Sequence, residues 1–281
     1  NGTVNNLAGT FTQNGIFNNN EMFDNDATLL IGAGKTMNNN DSLYNNGIVT
    51  IHGTLNNNFG SALTNDSTVT VSGSGLLMVD SATLINNSLI VSSGSIEAVD
   101  SAIVNNLAGA TITNGGQAQI ASSSILNNEG MVSTSGYFVV LTNGVMNNYD
   151  TLSNTGDFEI NATLNNFPSG VVNNSDNFHN TSAGTLLNNG IVNNLAGTFT
   201  QNGIFNNNEL FDNDATLLIS AGKTMNNNDS LYNNGIITLH GTLNNNIGSA
   251  LTNDSTVTVS GSGVLVVDSA ILNNNALVTS S

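Results

Sequence analysis

Carboxylates are the residues that could do chemistry here. Asp24, Asp26, Asp41, Asp66, Asp80, Asp100, Asp150, Asp157 and Glu159 are spread along the chain. A pair of them could act as acid and base in glycoside cleavage. Asp24 and Asp26 lie two residues apart, so on a strand they face the same side. The stretch "FDNDA" (residues 23–27) also offers two carboxylates and an amide at a corner, the kind of oxygen donors calcium takes. Its copy places Asp212 and Asp214 in the same setting. Calcium needs six to eight oxygens, so neighbouring coils would have to complete the shell. The glycine-rich nonapeptide of calcium-binding β-rolls is absent.

An enzyme reading meets two objections. The chain has no arginine, and its only lysines are Lys35 and Lys223. Asp24, Asp41 and Asp66 recur as Asp212, Asp229 and Asp254, whereas an active site is normally single. The expectation is a protein without catalysis. His52 and His240 are copies of one another and His179 stands alone, with no second histidine or cysteine at zinc-ligand spacing. They are expected to face solvent. Gly115-Gly116 opens no helix, so it reads as a turn and not a phosphate loop.

Composition narrows the partners. The formal net charge is -17, which rules against nucleic-acid phosphates and anionic membranes. No apolar run has the length of a membrane span. There is no cysteine, hence no disulfide framework. The chain shows no signal peptide and does not begin with methionine, which suggests a processed product or a segment of something longer.

The elements that must position these residues are repeats. One repeat is long: a displacement of about 188 residues aligns Val4 with Val192, Thr36 with Thr224 and His52 with His240, with roughly nine positions in ten identical. Residues 16–203 make one full copy, 204–281 start the next and 1–15 end the previous one. The other repeat is about 20 residues, with units beginning at Ile16, Thr36, Thr54, Thr83, Ile103, Ile125, Val145, Thr163, Thr185 and Ile204. Each unit splits into three pieces, as in TMNNND / SLYNNG / IVTIHG. The pieces are too short for helices, and they alternate apolar with small polar residues between turn formers.

Three short strands per unit predict an all-β fold: one continuous parallel β-solenoid over 1–281, triangular in section, one unit per turn. At about 4.8 Å per turn, nine turns would rise about 43 Å. The unit beginning at Thr54 carries an additional piece, "LLMVDSA" (residues 76–82). It is expected to form a bulge or an extra face, and to recur at 264–270.

Asparagine is about a fifth of the chain. With Phe17, Met37 and Leu55 facing inward, the second residue after each also faces inward. Asn19, Asn39, Asn57, Asn106, Asn128, Asn148 and Asn166 are therefore expected to stack as a ladder of amides along the axis. On the outside, Phe23 with Tyr44, and Phe211 with Tyr232, are expected to form a strip for lateral contact.

Units such as "TLNNNFGSALTNDSTVTVSGSG" (residues 54–75) and "TLLNNGIVNNLAGTFTQNG" (residues 185–203) resemble the repeats of large bacterial surface proteins, the filamentous-haemagglutinin-like adhesins. The resemblance covers the whole chain and rests on repeat style. It implies a right-handed parallel β-helix exported by two-partner secretion. The secretion domain typical of that family's amino end is not recognisable in this sequence. The resemblance also implies sugars at sequons such as those beginning at Asn40, Asn65, Asn161 and Asn173.

The function expected is structural: a segment of a long, secreted bacterial filament or surface adhesin, in a matrix or at cell contacts. It would meet itself end to end, as one longer chain or laterally. The alternative is a carbohydrate-binding adhesive module with one face for surface glycans.

Overall fold

The protein's computed structural model describes residues 2–280. Among these the chain forms 42 strands and no helix. Nearly every strand is four residues long, and its second and fourth side chains face inward. Strands of this length suit the local sequence. A β-branched or apolar residue alternates with a small polar one, and Asn, Asp, Ser or Gly then turns the chain.

The fold comprises two compact units, residues 1–146 and 147–281. In the N-terminal unit the strands form three parallel stacks. The first runs from Val4–Asn6 through Met22–Asn25, Ser42–Asn45, Ala62–Asn65, Thr83–Asn86 and Ile103–Asn106 to Ile125–Asn128. The second begins with Thr10–Gln13 and the third with Ile16–Asn19. Three strands thus make one turn of a solenoid, as the 20-residue period predicts. Each strand pairs in register with the strand three places on, as Phe23 does with Leu43 and Leu43 with Leu63.

The core is thin. It takes one apolar side chain from the second position of each strand, such as Leu43, Val49 and Leu55 from successive strands. The C-terminal unit is built the same way. There Phe158, Phe178 and Phe199 stack in the core with ring centroids 5.0 and 4.7 Å apart.

Corners have mainly two or four residues, and both lengths occur at all three corners of the N-terminal unit. The four-residue corners Gly32–Lys35, Asn58–Ser61 and Leu107–Ala110 join different pairs of stacks. Each places a glycine in the left-handed region, at φ 67°, 75° and 81° for Gly34, Gly60 and Gly109. Only glycine adopts this conformation without steric cost. Corner amides continue the axial bonding, as when Asn46 N–H donates to the Asn25 carbonyl at 2.9 Å.

Two expectations fail here. Residues 76–82 form neither a bulge nor an extra face: Leu76–Asp80 is an ordinary strand, paired with Thr54–Asn57 before it and Ser95–Val99 after it. An extra face would break the backbone pairing of both neighbouring turns, whereas an added strand in sequence keeps every bond. The next paired-asparagine strand, Thr83–Asn86, consequently lies in the first stack, not the third. Counted along the chain, Ile204–Asn207 comes 28 strands after its copy Ile16–Asn19, so the long repeat exceeds nine turns by one strand.

Candidate functional site: amide ladders and the outer surface

The most specific chemistry in the molecule is buried. In the N-terminal unit the last residue of every strand in the first stack is asparagine. Asn6, Asn25, Asn45, Asn65, Asn86, Asn106 and Asn128 form one column. Each Nδ2 donates to the Oδ1 of the next, at 2.6 Å for Asn6 to Asn25 and 2.7–2.8 Å for the bonds that follow. The same Nδ2 reaches backbone carbonyls at and just after the corner. Asn25 donates to Ala27 O at 3.3 Å in its own turn and to Ile48 O at 3.1 Å in the next. Those carbonyls fix the amide's orientation, because a flipped side chain would set Oδ1 against them. A buried amide is costly unless its donors and acceptor are matched, and here the fold matches them.

The asparagines expected to form one ladder divide between columns. Asn19, Asn39 and Asn57 stack in the third stack of the N-terminal unit, at 2.7 Å per bond. Asn106 and Asn128 belong to the first-stack column. Asn148 and Asn166 are joined at 2.8 Å in the C-terminal unit, and that column continues through Asn188, Asn207 and Asn227 to Asn245. The added strand 76–80 causes the division, since it puts Val79 above Asn57. Asn25, Asn45 and Asn86 were not singled out in the sequence, although they occupy the same fourth position in "MFDN", "SLYN" and "TLIN". Asn65 in "ALTN", expected as a sugar-bearing sequon, is instead fully buried and bonded into this ladder.

Outward amides run the other way. Asn38 Nδ2 donates back to Asn18 Oδ1 at 2.7 Å, and Asn56 to Asn38 at 2.9 Å. At one corner Asp and Asn alternate through Asp26, Asn46, Asp66 and Asn87. Asn46 donates to Asp26 at 2.9 Å and Asn87 donates to Asp66. The alternation keeps those carboxylates two turns apart, which lowers their repulsion.

The lateral aromatic strip is corrected. Phe23 and Phe211 are fully buried in the core, whereas Tyr44 and Tyr232 face outward with 41% and 45% exposure. Parity explains this. Asn25 and Asn213 are tied into the inner ladders, so the residue two before each must also face inward. The most exposed large apolar side chain is instead the corner residue Phe59 at 84%, and its copy Ile247 is 73% exposed. Tyr149 and Phe167 stack at a corner of the C-terminal unit, 4.3 Å apart.

The carboxylates stay dispersed on strand exteriors and corners. Among the described residues no three His, Cys, Asp or Glu side chains come together. Asp24 and Asp26 share Asn46 Nδ2, at 3.3 and 2.9 Å. In the copy, Asn234 donates to Asp214 at 2.9 Å and Asp212 Oδ1 is buried without a partner. Burial, and then the charge of Asp214, hold the Asp212 carboxyl above its usual range. His52 and His240 sit exposed in corners, and His179 lies beside Glu159 on a strand exterior. A shallow hollow of about 50 Å³ in the N-terminal unit is lined by Glu97, Gln117, Gln119 and Tyr137.

No family model matches the chain, and no curated protein matches it. Among solved structures it is similar to the crystal structure of a TibC-catalyzed hyper-glycosylated fragment of TibA. That match has 17% identity and a TM-score of 0.50, and covers 92% of this chain and 99% of that one. At this identity the likeness concerns the fold. No helix in the described residues is long and apolar enough to cross a membrane.

Proposed function

We propose that the chain is a structural segment of a long repetitive filament or adhesin at the bacterial cell surface. The observation that carries this reading is the continuous column of buried amides in each unit, laid on unbroken parallel pairing. Every turn is bonded to the next through backbone and side chain alike. Separating two turns must break the whole set together, which makes the array resist bending and stretching. The formal net charge of -17 with only two lysines suits a solvated, secreted support without catalysis. An open end of such a solenoid presents unpaired strands that more of the same chain, or another copy end to end, would cover.

The test is electron microscopy of the concentrated, purified chain and of the natural product that contains it. Fibres are expected, and in the natural product each long repeat should rise about 45 Å, from 28 strands at three per turn and about 4.8 Å per turn. Compact particles without axial order would sink the reading.

The second reading is a glycan-binding module. It draws on the hollow beside Tyr137, where an exposed ring adjoins Glu97 and two glutamines. It also draws on the similar TibA fragment, which carries sugars by its own description. Retention of defined oligosaccharides on an array, lost in Tyr137→Ala, would favour it over a purely mechanical role.

A further inference from the structure

The four-strand unit changes which face carries each recurring feature, and the change is chemically finished. In the N-terminal unit the outward asparagines Asn18, Asn38 and Asn56 form a column on the third stack, and Met78 takes the next place. Beyond it the outward pair Asn105 and Asn127 lies on the first stack.

The inner ladder that ends at Asn57 leaves no orphan. Its Oδ1 accepts Ser61 Oγ at 2.8 Å as well as the Asn39 amide, and its Nδ2 donates to Thr83 O at 2.8 Å. The C-terminal unit repeats this by itself. Strands ending in Asn207, Asn227 and Asn245 share one stack, Val264–Val267 takes the next place, and Ile271–Asn274 falls in the following stack. Ser249 Oγ closes that ladder on Asn245 Oδ1 at 2.8 Å, and Asn245 Nδ2 donates to Ile271 O at 2.8 Å.

We infer that residues 76–82, and their copy 264–270, are a phase-shifting insert that moves every recurring surface feature one face onward per long repeat. The three corners make this possible, because each accepts the same two-residue and four-residue turns. The exposed corner residue is handed on in the same way: Phe59 follows a strand of the third stack, and Ile247 follows the strand 28 places later, which is not a whole number of turns. A tandem array would therefore present each feature on all three sides in rotation, with a period of three long repeats. Such a surface suits partners that surround a fibre, not a single flat neighbour. That consequence rests on the filament reading; the shift itself does not.

Disulfide mapping tests the shift through Ile85, whose outward neighbour is Thr64. In the full chain, Ile85→Cys should link to Thr64→Cys on mild oxidation, because adjacent parallel strands lie within disulfide reach. Deleting residues 76–82 should leave a folded β-rich chain in which Ile85→Cys links to Asn56→Cys instead. Duplicating those residues should move the link to Thr70→Cys. The proposal is overturned if either folded variant keeps the Thr64 link, or if neither length variant folds. Loss of fibres with these links intact would count against the filament reading alone.

Discussion

Ser61 Oγ donates to Asn57 Oδ1 at 2.8 Å, and this bond ends an amide ladder where valine occupies the next turn. Both side chains are buried. Ser61→Ala removes the donor and leaves part of the Asn57 acceptor capacity unused. A loss of about 1 kcal/mol is expected, read as a lower urea midpoint with an unchanged slope. Ser74→Ala, on an exposed corner, serves as the control and should be neutral. Equal effects of the two substitutions would mean that the cap contributes nothing.

Asn45 lies in the middle of its column, donating to Asn65 at 2.7 Å and accepting from Asn25 at 2.8 Å. Asn45→Leu keeps the volume and strands both neighbours as well as the Thr68 carbonyl. Its cost should be about 2–4 kcal/mol, from more than one buried polar group left unmatched. The same change at Asn46, in an exposed corner, should cost well under that. Chemical denaturation of the two variants separates an amide ladder from a merely asparagine-rich surface.

Two glycines should fail for different reasons. A Cβ on Gly47 would stand 2.0 Å from the Ala27 carbonyl oxygen of the turn below. That atom is backbone and cannot step aside, so Gly47→Ala should cost about 1–3 kcal/mol by overpacking. Gly60 has open space around its missing Cβ but a φ of +75°. Gly60→Ala should cost about 1–2 kcal/mol through backbone strain, and Gly60→Asn should recover part of it. Recovery by asparagine at Gly47 as well would show that sterics do not act there.

Burial, and then the charge of Asp214, raise the Asp212 carboxyl above the ordinary carboxylate range. A carboxylate raised on folding binds its proton more tightly in the folded state. Its effect on stability is therefore most favourable below the unfolded value and is lost as pH rises through the folded value. Asp212→Asn should be more stable than the parent chain at pH 7, and the difference should vanish below the ordinary carboxylate range. Urea titrations at several pH values check this; a difference that persists in acid would assign the gain to packing.

An apolar void of about 20 Å³ adjoins Ala118 in the N-terminal unit, lined by Leu84, Ile96, Ile112 and Leu126 among others. Most strands supply a larger side chain at this inward position. Ala118→Val should add about 1 kcal/mol of stability by filling it. A lower melting temperature would show the void to be too narrow for two more methyl groups.

The period of 20, the three pieces per unit and the inward Asn19, Asn39 and Asn57 were all legible in the sequence, because a repeating coil writes its geometry into spacing. Parity at Phe23 was not. "EMFDN" has adjacent apolar residues, either of which could be inward on a four-residue strand. The inner ladder decides between them, since Asn25 must meet Asn45 and carries Phe23 inward with it. A one-residue slip would have exposed the ring and buried Asp24. The unpartnered Asp212 oxygen was equally invisible, as it depends on what packs across neighbouring turns.

By itself the sequence determined that the chain is a parallel β-solenoid, that its long copies recur, and that its asparagines fall at fixed places on successive turns. Alternation and turn chemistry are local, so spacing alone carries them. Only the tertiary structure decided which strand lies above which. Stacking joins residues about 20 apart through a closed three-sided turn, and residues 76–82 could be absorbed there as a bulge, a face or a strand. The backbone bonds of the turns above and below select the strand, and with it the face on which everything after it appears.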